Sequence, residues 1–126
     1  MIPLNLKSGV PIWEQIKEQF KKQILMGVWA PGEQLPSVRS LASELGINPN
    51  TIQRAYSELE REGLCYTVQG KGCFVEEDLT AIQIKKTAEA LERLDAVITE
   101  LKESGIQYDT IIEKISKLYE EGRKDD

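Results

Sequence analysis

Residues 46–56 read GINPNTIQRAY, and this interruption constrains the fold more than any other stretch of the chain. Apolar residues recur at helical spacing on both sides, yet here a glycine, two asparagines and a proline fall within five positions. The preceding SVRSLASEL predicts a short helix with Ser37 as N-cap and Val38, Leu41, Ala42 and Leu45 as its apolar stripe. Gly46 supplies the left-handed conformation that ends a helix well. Asn48 stands where a new helix needs a cap, and Pro49 takes the first helical position, where its missing N–H costs nothing. The new helix runs PNTIQRAYSELERE and stops near Gly63. Two short helices joined by a turn of about three residues form a helix-turn-helix.

The second helix restarts on polar residues, and its angular pattern shows why. At about 100° per residue, Ile52, Ala55 and Leu59 face the core with Tyr56 at the margin. Asn50, Arg54, Ser57 and Arg61 fall opposite, with Gln53 on the flank. In a DNA-binding helix-turn-helix the N-terminal part of this second helix enters the major groove. Asn and Gln match adenine N6 and N7, and Arg matches guanine O6 and N7. Asn50, Gln53 and Arg54 are therefore candidate base readers, and Thr51 beside the helix N-terminus suits a phosphate. A solvated face on a helix that binds no DNA carries the same residue types, so this helix alone leaves both readings open.

Upstream, PIWEQIKEQFKKQILMG places Ile12, Trp13, Ile16, Phe20, Ile24 and Leu25 at helical spacing, with Gly27 as C-cap. VWAPGEQLP reads as a turn-rich connector built on Pro31-Gly32. Downstream of Gly63 the pattern switches to period two, LCYTV and CFVE around QGKG, which predicts a β-hairpin. A hairpin directly after a helix-turn-helix is a wing. Ser37 and Arg39, at the start of the first helix of the motif, and Lys71, between glycines at the wing tip, are further candidates on the same face. Each has a bland reading as an exposed side chain or a turn residue; their convergence favours the functional one.

Glu76, Glu77 and Asp78 mark an exit, dividing the chain at 1–77 and 78–126. From Leu79 to Gly105 the pattern is helical, with Ile84, Leu91 and Ile98 seven apart and Thr87, Leu94 and Leu101 likewise. That is a seam of about three heptads, enough for a partner helix. After Gly105, YDTIIEKISKLYEEG predicts a last amphipathic helix through Ile111, Ile112, Ile115 and Leu118, and the tail RKDD is expected to fray. Two such stripes find cover either on a twin chain or on the winged helix; the twin is the expected answer. The fold class is thus mainly α with a small β-hairpin: an N-terminal winged helix-turn-helix, then a two-helix dimerisation segment.

Charge and composition narrow the function. The chain of 126 residues has net charge −5, unusual for a nucleic-acid binder. The acidity is local: Met1–Val75 carries eight Lys/Arg against seven Asp/Glu, whereas Glu76–Asp126 carries eight against fourteen. Without histidine the chain lacks the commonest general base and metal ligand, and GKG lacks the spacing of a phosphate loop. No enzyme, cofactor or metal is expected. The chain opens with no signal-like segment and holds no apolar run of membrane-spanning length, so a cytoplasmic location without membrane partners is expected. Cys65 and Cys73 have no CxxC spacing and fit a reducing compartment. Two alternatives stay open: a protein-interaction module whose acidic helices dock a basic partner, and a redox-sensing regulator acting through Cys65 and Cys73.

GVWAPGEQLPSVRSLASELGINPNTIQRAYSELEREGL followed by VQGKGCFV closely resembles the N-terminal domain of GntR-family bacterial transcription regulators, over residues 10–76. The resemblance implies a winged helix that binds operator DNA as a homodimer. It implies backbone contacts by the arginine of the LPSxR segment, Arg39. It also implies DNA contacts at Asn50, Thr51, Gln53 and Arg54 and at the wing tip, Gln69, Gly70 and Lys71. Pro49 and Gln53 stand where some relatives carry arginine, so base preference does not transfer; Cys73 replaces a common small hydroxyl residue. The short stretch after the wing resembles the YtrA subfamily, whose members pair two helices to dimerise and often regulate transporter operons. That stretch is too short for a drug-sized pocket of at least about 300 Å³ per subunit. An effector, if the regulator uses one, is expected at a dimer or domain interface.

Overall fold

The computed structural model describes residues 2–123, so residues 124–126 of the tail expected to fray lie outside it. Five helices and one hairpin run in the order α1 (Ile12–Leu25), α2 (Val38–Leu45), α3 (Pro49–Arg61), β1 (Cys65–Val68), β2 (Gly72–Val75), α4 (Thr80–Glu103) and α5 (Tyr108–Arg123). The turn between α2 and α3 is built as its residue types require. Ser37 Oγ accepts the Ser40 N–H at 3.0 Å, and Gly46 ends α2 at φ +68°. Asn48 Oδ1 then accepts the Asn50 N–H at 2.8 Å and starts α3, with Pro49 in its first turn.

One apolar core holds the first three helices and the hairpin together. α1 contributes Ile16, Phe20 and Ile24, α2 contributes Leu41 and Ala42, and α3 contributes Ile52, Ala55, Tyr56 and Leu59. Leu64, Cys65, Cys73 and Val75 close it from the hairpin side, while Ile2 and Leu35 come from irregular segments. The Phe20 ring meets Tyr56 edge-on at 5.6 Å and lies tilted against Trp29 at 5.8 Å. Tyr56 is not marginal: it is buried, and its hydroxyl donates to the Pro36 carbonyl at 2.7 Å. That bond satisfies the one polar atom that would oppose burial, and burial keeps the phenol protonated well above its ordinary range.

β1 and β2 pair antiparallel in the register Cys65↔Val75, Tyr66↔Phe74, Thr67↔Cys73 and Val68↔Gly72. The connector before α2 is more than a turn. Leu35 N–H donates to Cys73 O, Val75 N–H to Glu33 O and Gly32 N–H to Val75 O, each at 2.8 Å, and Gln34 forms an antiparallel bridge with Phe74. The connector thus covers the free edge of β2, which would otherwise leave a row of unpaired backbone groups. A run of three residues is too short to show a strand period.

Charged residues fasten α1 to the end of α3. Glu62 Oε2 lies 3.0 Å from Lys17 Nζ, and Glu62 Oε1 lies 2.7 Å from Lys21 Nζ. Burial pushes the Glu62 carboxyl up, but hydrogen bonds from Lys21 and Lys17 outweigh it and hold it below its ordinary value of 4.5. A carboxyl depressed in the folded state adds stability above its unfolded pKa, which is lost as pH falls through the lower folded value. Glu62→Gln is therefore expected to cost about 1 kcal/mol at pH 7. Urea titrations should show that gap closing below about pH 4; a gap independent of pH would assign the loss to packing instead.

The chain forms two compact units, Met1–Ile84 and Lys85–Asp126. The division falls inside α4 and not at the acidic run that the sequence suggested, because the first turn of α4 belongs to the winged helix. Leu79 and Ile82 pack against its core, and Gln83 Nε2 donates to the Leu25 carbonyl at 2.9 Å. In the second unit α4 buries no residue at all. Leu91, Leu94, Ile112 and Leu118 are exposed, and so is Ile84 just before the division; Ile98, Leu101, Ile111 and Ile115 are half-buried. Gly105, at φ +85°, ends α4 and lets the chain turn into α5. Among the described residues no helix is long and apolar enough to cross a membrane.

Candidate nucleic-acid interface

The core residues of α3 determine what it presents to solvent. With Ile52, Ala55, Tyr56 and Leu59 inward, Asn50, Gln53, Arg54 and Ser57 are all exposed, and Thr51 is half-buried. Gln53 leans toward the hairpin side and Arg54 toward α1. Gln53 lines a cleft of about 140 Å³ together with Ser37, Val38, Thr67 and Gly72, while its Nε2 donates to Ser57 Oγ at 3.3 Å. Arg54 lays its guanidinium over the Trp13 ring at 4.2 Å. The start of α2, the flank of α3 and the part of the hairpin next to its turn thus border one concave surface.

Of the flanking candidates, Ser37 lines this cleft, while Arg39 and the wing-tip residues lie outside its lining. Ser37 is exposed and its oxygen is occupied as the α2 cap, which leaves its hydroxyl proton free to donate. Arg39 lies in the first turn of α2, exposed. At the wing, Gln69, Gly70 and Lys71 are exposed, and the turn closes through the Lys71 N–H to Val68 O at 2.9 Å with Gly70 at φ +78°. Arg39, Arg54 and Lys71 have no carboxylate partner among the described residues, whereas Arg61 is bound to Glu58 at 2.6 Å. The first part of α3 leaves Arg54 without a carboxylate among the described residues, and the last part pairs Arg61 with its own Glu58.

Sequence reasoning missed Gln34. Its Nε2 donates to the Lys71 carbonyl at 2.7 Å, bracing the wing turn from the connector. Gly72, at φ +125°, permits this, since a Cβ there would meet Gln34 Nε2 at 2.6 Å. No local signal marks the pairing, because the partners are 37 residues apart. Cys65 and Cys73 lie beneath the wing as free buried thiols with sulfurs 3.1 Å apart. The neighbouring Cys73 sulfur and burial hold the Cys65 thiol well above its ordinary range.

The family of bacterial regulatory proteins designated gntR matches residues 12–75, the segment from α1 to the end of the wing. The chain belongs to the GntR family. This GntR-family transcription regulator carries a winged helix-turn-helix as its DNA-binding domain. It is 37% identical to the HTH-type transcriptional repressor YtrA of Bacillus subtilis (strain 168), with both chains covered in full. A GntR family transcriptional regulator from Listeria monocytogenes has the same architecture, with 37% identity, a TM-score of 0.71 and 89% of this chain and 98% of that one covered. The DNA-binding domain of AraR, solved in complex with operator ORR3, is 34% identical with a TM-score of 0.52, covering 58% of this chain and 88% of that one.

Proposed function

We propose that this regulator is a repressor that binds a pseudo-palindromic operator as a homodimer, one recognition helix per half-site. The observation that supports the reading is the outward face of α3: Asn50, Gln53 and Arg54 are exposed, and Gln53 lines a cleft shared with the start of α2 and the hairpin. In this reading Asn50, Gln53 and Arg54 reach base edges. Ser37, Arg39 and Thr51 take phosphates, and Gln69, Gly70 and Lys71 track the backbone or minor groove beside them. α4 and α5 supply the twofold contact, because Leu91, Leu94, Ile112 and Leu118 of their apolar stripes stay exposed in the single chain. The name of the Bacillus relative favours repression over activation, the operator complex of AraR favours duplex DNA as ligand, and the subfamily resemblance extends the proposal to the promoter of a transporter operon.

Fluorescence anisotropy with duplex from the protein's own promoter region and with shuffled duplex, at about 50 to 200 mM salt, tests this. Tight, promoter-selective binding with a steep salt slope is expected. Arg54→Ala should cost about 1–3 kcal/mol on the promoter duplex and relax preference at one base pair. Lys71→Ala should instead weaken both duplexes alike and reduce the salt slope by about 1. Equal losses on both duplexes for Arg54→Ala would remove it from the set of base readers. Absence of binding to either duplex at low salt would leave the winged helix as a protein-interaction module.

A further inference from the structure

Arg54 is the one member of the α3 face whose side chain rests on another helix. Its guanidinium carbon lies 4.2 Å from the centre of the Trp13 ring, near the start of α1. Trp13 is itself half-buried and packed against the core, so the ring is a fixed support and not a second mobile side chain. Two neighbouring charges are already matched. Lys17, 5.9 Å from the same ring, is held by Glu62 at 3.0 Å and Glu18 at 3.4 Å. Glu58, four residues beyond Arg54 and thus the carboxylate best placed to capture it, is engaged with Arg61 at 2.6 Å. Arg54 is left with a face that is occupied and an N–H edge that is not.

That difference matters because a guanidinium has two kinds of surface. Its flat face stacks on aromatic rings, while all five N–H donors lie in its plane and stay available to a bidentate acceptor. A free arginine must give up much of its rotamer freedom to present that edge in one orientation. Stacking on a fixed ring confines the side chain before any ligand arrives. Tryptophan offers the strongest such face among the aromatic residues.

We propose that Trp13 is a positioning residue for sequence reading, holding the plane of the Arg54 guanidinium so that its N–H edge meets one base pair in a fixed orientation. The proposal rests on the reading of α3 as the recognition helix. It extends the determinants of specificity to a residue of α1, one helix away from the groove.

Anisotropy on Trp13→Leu, Trp13→Tyr, Arg54→Ala and the double variant Trp13→Leu/Arg54→Ala decides it, with promoter duplex, shuffled duplex and promoter duplexes substituted at each base pair of one half-site. Trp13→Leu is expected to weaken promoter binding about two- to fivefold, the size of an exposed cation–π contact. It should relax preference at the same base pair as Arg54→Ala, and it should leave shuffled duplex unaffected. Trp13→Tyr, which keeps an aromatic face, should restore most of the preference, and Trp13→Leu should add nothing once Arg54 is Ala. A loss shared by promoter and shuffled duplex, or one that persists in the Arg54→Ala background, would overturn the proposal and make Trp13 a packing residue. Relaxed base preference for Arg54→Ala with none for Trp13→Leu would overturn the proposal alone. Unchanged base preference for Arg54→Ala itself would overturn the role of Arg54, and the proposal with it.

Discussion

Leu94→Glu is expected to turn the proposed dimer into a monomer and to lower affinity for the full operator by about 10²- to 10⁴-fold, the loss incurred when two linked sites bind singly. Leu94 sits on the α4 seam with 44% of its surface exposed in the single chain, so a carboxylate there can reach water and costs little until a second chain covers it. In the interface it would be an unpaired buried charge, among the most destabilising of changes. Sedimentation equilibrium reports the assembly state, and anisotropy on full and single half-site duplexes reports the affinity. Single half-site binding should survive, because nothing in Met1–Ile84 is altered. A variant that remains dimeric at micromolar concentration would remove α4 from the interface.

Phe20→Ala is expected to be the most damaging single change to the winged helix, costing about 3–5 kcal/mol. Phe20 is 1% exposed and loses two ring contacts at once, the edge-on one with Tyr56 and the tilted one with Trp29. A pocket of about 190 Å³ already adjoins the site, lined by Ile2, Trp29, Leu41 and Leu45, so the truncation enlarges an existing void. The thermal midpoint should fall by more than about 10 °C for a unit of this size. A loss below about 1 kcal/mol would show that Trp29 or Ile2 moves in to refill the space.

The helix-turn-helix was legible because every decision in it is local. Ser37, Gly46, Asn48 and Pro49 each act on the backbone within a few residues, and the spacing of Ile52, Ala55 and Leu59 fixes which side of α3 faces out. The hairpin was legible for the same reason, with Gly70 and Gly72 marking its turn. What sequence reasoning missed depends on contacts between distant segments. Gln34 against the wing and Gln83 on the end of α1 join residues 37 and 58 positions apart, and no periodicity announces them. Trp13 beneath Arg54 is a contact of the same kind, between two helices far apart in the chain. An acidic run looks like a linker, and the packing of Leu79 and Ile82 just beyond it on the winged-helix core is another contact between distant segments.

The turn between α2 and α3 has no spare residue. Gly46 reverses the backbone, Ile47 returns its N–H to Ala42 O at 3.0 Å while its half-buried side chain packs on the core, and Asn48 caps α3. Chain length here works as a clock hand. One extra residue would have to loop out, or else advance α3 by about 100° and carry Asn50 and Arg54 off its outward face while Ile52 swung toward water. The count of three therefore sets which side of α3 meets solvent, written in the spacing of the chain and in no side chain.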